Sequence, residues 1–167
     1  MNEKNQVAIK VSHALSLRSA TQRDLGFLRA WKNDQRQFFF HQDLISIEQQ
    51  QQWFDNFIQR PYDHMLMVEV DAKAMGCMGI RLLDSEWDIY NVILGDAAYA
   101  KQGHMARAFA AMLRMALQQH AYPITLKVLK HNPAHGWYLK NGFVTAFEAE
   151  DHYGLRYQTA TQKDTAT

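Results

Sequence analysis

Apolar residues along this chain switch between two spacings. They alternate with polar ones at Ala14-Leu15-Ser16-Leu17-Arg18 and at Ile124-Thr125-Leu126-Lys127-Val128-Leu129, the period of a half-buried strand. They recur three and four apart at Leu25, Leu28 and Trp31 and at Met105, Phe109, Met112 and Ala116, the stripe of an amphipathic helix. Thr21 with Asp24, and Ser46 with Gln49, have the spacing of capping boxes and predict two helix starts. The second helix turns Trp53, Phe54 and Phe57 inward and stops before Pro61. Met65 to Val70, Gly76 to Leu83 and Trp87 to Leu94 read as three strands, joined by turns at Asp71–Ala74 and Asp84–Glu86. A long helix runs from about Gly103 to His120, and a short one, Pro133 to Lys140, ends at the C-cap Asn141-Gly142. Phe143 to Phe147 and Leu155 to Thr159 close the chain as a strand pair.

The predicted order is therefore β-α-α-β-β-β-α-β-α-β-β. Three strands in a meander precede a strand–helix–strand crossover, so the sheet should be mixed and the class α+β (α/β), with about six to seven strands and about four helices. Residues 13–159 form one expected domain, flanked by polar tails at 1–12 and 160–167.

Composition narrows the function. A chain of 167 residues, 47% of them hydrophobic, can bury a sizeable core, and a net charge of +1 makes no electrostatic case for nucleic acid or an anionic membrane. Cys77 is the only cysteine, lies in the apolar run Met75 to Ile80, and is expected as a small core residue. No apolar stretch approaches roughly 18 residues and the first ten residues lack a signal-peptide core, so a cytoplasmic location is expected.

The stretch Asp96-Ala97-Ala98-Tyr99-Ala100-Lys101-Gln102-Gly103-His104-Met105-Ala106-Arg107 carries the first chemical signal. A loop with one glycine opens directly into a helix whose first backbone N–H groups have no intrahelical partner. Those groups and the positive end of the helix dipole attract phosphate. Gly103 leaves room for a bulky anion, and Lys101 and Arg107 add positive charge.

This element order, with its glycine loop after the meander, resembles the GNAT acetyltransferase superfamily. A second segment agrees: Asn132 followed by Tyr138, Lys140, Gly142 and Phe143 is similar to that family's Asn … Y-x-K-x-G-F motif. The loop departs from the usual Q/R-x-x-G-x-G/A, since Ala100 and Met105 stand where a basic or amide residue and a second small residue belong. The interval from Asn132 to Tyr138 is also one residue shorter.

The resemblance implies an N-acetyltransferase that binds acetyl-CoA as co-substrate in a cleft where two strands splay. The pyrophosphate would lie on the amides of Gln102, Gly103, His104, Met105 and Ala106. The pantetheine arm would pair with the strand edge at Ile93, Leu94 and Gly95. Tyr138 falls on the motif's tyrosine and would protonate the leaving thiolate. Asn132 would fix the loop or touch the cofactor. The base that deprotonates the amine stays open among Glu69, Asp88, Glu86, His41 and His64, with Glu69 and Asp88 ranked first. His131 and His135 are four apart, but Pro133 intervenes and no third ligand is evident, so no metal is expected.

The first half, with Trp31-Lys32-Asn33-Asp34, Phe38 to His41 and Trp53, resembles bacterial amino-sugar acetyltransferases and acetylases of ribosomal-protein N-termini. A small amine acceptor, most of all a nucleotide-linked amino sugar, is expected. Lys32, Arg36, Arg60 and Arg81 would hold its diphosphate, and Trp31 or Phe39 would stack on it. A protein N-terminus as acceptor, and a degenerate acyl-CoA-binding protein without catalysis, are the alternatives. Homodimerisation is left open.

Overall fold

Two capping boxes mark the starts of the first two helices. Asp24 reaches back to the Thr21 N–H at 2.7 Å, and the 3-10 turn it belongs to runs straight into helix α1, Leu25–Asp34. Ser46 and Gln49 cap each other, at 3.1 and 2.9 Å, at the start of α2, Ile47–Phe57. These distances come from a computed structural model that describes residues 4–159. The tail expected at 160–167 lies outside the described residues.

Eight strands form one sheet in the order β1-β2-β3-β4-β5-β6-β8-β7. They are β1 Ala8–Lys10, β2 Leu15–Ser19, β3 Asp63–Val70, β4 Lys73–Leu83, β5 Glu86–Leu94, β6 Ile124–Leu129, β7 Phe143–Glu148 and β8 His152–Tyr157. Helices α3, His104–Gln119, and α4, Ala134–Lys140, follow β5 and β6. The class is α+β, as the pattern indicates.

Three strands differ most from the pattern-based boundaries, among them β8, which starts at His152 rather than Leu155 and ends at Tyr157. Residues 8–10, read as part of a polar tail, pair with Ser16 to Arg18 as β1, and Val7 is buried. Three residues are too few for periodicity to register. The β3–β4 turn consists of Asp71 and Ala72, both at positive φ (49° and 65°), so β4 begins at Lys73. Two positive φ values suit a two-residue hairpin turn, shorter than the four-residue turn expected at Asp71–Ala74.

The sheet is buried on both faces. Leu66 and Val68 point to one side with Met78, Ile80, Phe109 and Met112 under α3. Met65 and Met67 point to the other, with Cys77, Ile93, Leu28 and Phe57 under α1 and α2. Such alternation follows from the two-residue period of a strand.

Two irregularities shape the centre. On β5, Asn91 and Val92 oppose one residue of β4 between the pairs Cys77–Ile93 and Gly79–Tyr90, and Asn91 has φ 49°. That is a β-bulge, which bends the strand and re-aims its side chains. The parallel β5–β6 ladder consists of only Trp87–Ile124 and Asp88–Thr125. Beyond those pairs the strands diverge.

Candidate active site

The divergence opens a cleft of about 400 Å³ between β5, the α3 N-terminus and α4. Val92 and Leu94 form its β5 wall, and Tyr99 to Lys101, Gly103 to Ala106, Asn132 and Tyr138 complete it. Gly103 is the N-cap of α3 with φ 77° and supplies no side-chain cap. The first N–H groups of α3 are thus left for a ligand. The φ value explains the glycine, because a β-branched residue is strained there. Met105 does not crowd that terminus with its thioether: a Cβ on Gly76 would lie 3.2 Å from its Sδ, so the side chain lies down on the sheet.

Strand β5 presents the backbone edge. The Gly95 N–H donates to Met75 on β4 at 2.8 Å, so Gly95 faces the sheet. By alternation Leu94 faces the open side, where its carbonyl accepts the Gln35 amide at 2.9 Å. Ile93 is fully buried beneath α1 and α2. Of the three residues expected at this edge, Leu94 alone lines the cleft, joined by Val92, which the sequence reading missed.

Tyr138 comes from α4 and is buried against Phe109, Trp137 and Phe143. Its hydroxyl has no hydrogen-bond partner among the described residues, and the residue lines the cleft. Burial pushes its pKa well above the usual phenol value. Asn132 accepts from the Ala134 N–H at 2.9 Å and donates to the Phe38 carbonyl at 3.3 Å, which ties the segment after α1 to the start of α4. His131 bonds the Gln37 carbonyl and His135 stacks on Tyr153, so the two rings serve different contacts.

A second cavity, of about 280 Å³, lies across β5 under α1 and α2. Lys32, His41, Gln50, Trp53, Cys77 and Asn91 are among its walls, and no Asp or Glu lines it. Asn91 and Ile93 face this cavity and Val92 and Leu94 face the cleft, so β5 is the partition between them. Gln50 is 92% buried by its 8% exposure, yet its side-chain amide has no partner among the described residues. The Lys32 ammonium donates to Asn91 Oδ1 and lies 3.6 Å from the centre of the Phe39 ring. Burial lowers its pKa to about 8, aided by Arg81 and opposed by Cys77. The Cys77 thiol is itself pushed up to about 12 by burial.

Most residues weighed as the base lie elsewhere. Glu69 accepts from Arg18 at 3.0 Å, in a cluster where Arg18 also grips Asp24. Asp88 pairs with Arg81 at 3.0 Å beside the closed end of the β5–β6 ladder. Neither lines the cleft or the cavity. Glu86 is exposed at the start of β5. His64 is buried with Nε2 at Gln119. His41 alone of the five reaches the cavity wall.

The cations expected for a diphosphate also scatter. Arg60 faces Asp63 at 3.6 Å, Arg81 holds Asp88, and Arg36 bonds the Asn33 carbonyl; Lys32 alone lines the cavity. Trp31 is 8% exposed and packed on Gly95, so it cannot stack on a ligand. Lys32 was expected at the site as a diphosphate cation, whereas Gln50 and Asn91 were not legible as site residues, because α1, α2 and the bulge meet only in three dimensions.

The splayed strands, the uncapped helix after β5 and the buried tyrosine of α4 define an acyl-CoA-dependent acetyltransferase fold. The profile of the Acetyltransferase (GNAT) family matches residues 26–143, and the chain belongs to that family. It is a GNAT N-acetyltransferase, and that family uses acetyl-CoA. No curated protein sequence matches it. Among solved structures it is similar to RimL, a ribosomal L7/L12 alpha-N-protein acetyltransferase in complex with coenzyme A, with TM-score 0.72, 17% identity and coverage of 90% of this chain and 96% of that one. It is also similar to FdhC, a nucleotide-linked sugar GNAT, with TM-score 0.75, 13% identity and coverage of 98% and 93%. A third is the PaiA N-acetyltransferase of Thermoplasma acidophilum in complex with coenzyme A, with TM-score 0.67, 15% identity and coverage of 86% and 98%. Among the described residues no helix is long and apolar enough to cross a membrane.

Proposed function

We infer that the chain acetylates the primary amine of a small hydroxylated acceptor, an amino sugar, free or nucleotide-linked. The observation that carries this reading is Gln50, whose side-chain amide has no protein partner and faces a cavity without a carboxylate. An amide that faces a cavity with no protein partner has a donor and an acceptor to offer an acceptor hydroxyl. Trp53, stacked on Phe57 at 4.7 Å, offers an apolar wall for the face of a sugar ring. A cavity near 280 Å³ suits one ring better than a folded peptide segment. Ribosomal-protein and nucleotide-sugar acceptors both occur on this fold, so the choice rests on the cavity.

Acetyl-CoA supplies a thioester, an acyl group activated toward nitrogen. The N–H groups of Gly103 to Ala106 would hold its phosphates, and the edge of Val92 and Leu94 would align its arm. Tyr138, like any phenol, is protonated at neutral pH, and burial raises its pKa further, so it has a proton to give to the departing sulfur. A competition assay tests the acceptor: nucleotide-linked 4-amino sugars, free amino sugars, polyamines and N-terminal peptides compete for limiting acetyl-CoA. An amino sugar should show the highest kcat/KM, and the ratio between its nucleotide-linked and free forms reads whether a diphosphate is recognised. Peptides acetylated far faster than any sugar would overturn the acceptor assignment.

A further inference from the structure

Lys32 lines the acceptor cavity and lies over a ring that lines the cofactor cleft. It is half-buried on α1, and its Nζ donates to Asn91 Oδ1 at the β5 bulge. The same ammonium lies over Phe39, whose ring lines the cleft on the other side. Asn91 and Phe39 thus fix Lys32 at the junction of the acceptor cavity and the cofactor cleft. An acceptor amine in the cavity must pass that junction to reach an acyl group in the cleft.

The surroundings are those of a proton acceptor. No Asp or Glu lines the cavity, and the Glu69 and Asp88 carboxylates are held by Arg18 and Arg81 outside it. Facing Lys32 are Asn91 and the Cys77 thiol from the sheet, Phe39 and His41 from the segment after α1, and more distantly Arg81, a like charge. Nothing in that set stabilises an ammonium by ion pairing, and burial lowers the pKa of Lys32 to about 8. As a neutral amine it keeps its bond to Asn91 and retains a free lone pair.

We propose that Lys32 is the general base, taking a proton from the acceptor's ammonium before attack. This rests on the acetyltransferase activity but not on the identity of the acceptor. The acceptor's N–H bond breaks, an Nζ–H bond forms, and the positive charge passes to Lys32. The freed nitrogen lone pair then forms the C–N bond to the acyl carbon as the C–S bond breaks and sulfur leaves with the electron pair. The nitrogen's second proton balances the one sulfur takes up, and Lys32 returns its own to water.

The test has two arms. In the first, lysine side chains are followed by NMR against pH in the wild type and in Lys32→Arg. Lys4, bonded to the carbonyls of Phe57, Arg60 and Asp63, is also lowered to about 8 by burial. Two lysines should therefore titrate near pH 8, against about 10.4 for ordinary lysines, and one of these should vanish in Lys32→Arg. If that substitution removes only a signal titrating near pH 10, the proposal is overturned, whatever the acceptor. In the second arm, Lys32→Arg keeps the charge but cannot lose the proton. Its kcat should fall about 10²-fold or more with KM for acetyl-CoA unchanged. Trimethylamine, which takes a proton but cannot form an amide, should restore part of the activity of Lys32→Ala. Lys32→Arg within about threefold of wild-type kcat would make Lys32 a charge anchor and end its role as a base.

Discussion

Gly95 lies against Trp31 with no room for even a methyl group. A Cβ on Gly95 would overlap the atoms of the indole. This contact presses α1 onto the end of β5, and α1 carries Lys32 one residue further on. Gly95→Ala should therefore destabilise the fold by about 1–3 kcal/mol through overpacking. Urea unfolding would measure that loss, and a lower affinity for the acceptor should accompany it. A variant as stable as the wild type would mean that the helix moves away freely.

Gly103→Val should abolish the stabilisation by acetyl-CoA. At about 100 Kd a ligand that binds only the folded chain adds about 2.7 kcal/mol. Valine is strained at a φ of 77° and places branched carbons beside the α3 N–H groups. Melting curves with and without acetyl-CoA read the difference. A normal shift in the variant would place the phosphates elsewhere.

Tyr138→Phe removes a hydroxyl that has no protein partner, so packing and cofactor affinity should be kept. The expected change is a fall in kcat of about 10²-fold or more, read by steady-state kinetics beside acetyl-CoA titration. An equal loss of affinity and rate would identify the hydroxyl as a binding group.

Gln50→Leu keeps volume in the acceptor cavity but loses both amide functions. KM for the acceptor should rise about five- to thirtyfold, the scale of one buried hydrogen bond, while KM for acetyl-CoA is unchanged. No change in either constant would remove Gln50 from acceptor recognition.

Asp24 links the first capping box to Arg18, at 2.7 and 2.9 Å. Burial alone would raise its pKa, but the Arg18 bond, reinforced by the Thr21 N–H, holds it below the usual carboxylate value. A group whose folded pKa is depressed stabilises above its unfolded pKa, about 3.9, and loses that contribution as pH falls through the folded value. Asp24→Asn should cost about 2 kcal/mol at pH 7, and the gap to wild type should close below about pH 4. A pH-independent difference would assign the loss to packing.

The sequence by itself determined what depends on near neighbours. Thr21–Asp24 and Ser46–Gln49 start helices through contacts three residues apart, and the alternation of Ile124 to Leu129 specifies a strand. Gly103 before the Met105–Ala116 stripe, followed by the Tyr138 motif, was enough to indicate the family. Tertiary structure decided what depends on register and on surfaces meeting. Glu69 and Asp88 look available in one dimension, but strand pairing delivers them to Arg18 and Arg81. Trp31 looks like a stacking platform until Gly95 is laid against it. Lys32 and Asn91 are 59 positions apart, and they meet because a bulge at Asn91 turns its side chain toward α1. No local period encodes that bulge, since it arises from two strands of unequal count being held in one sheet.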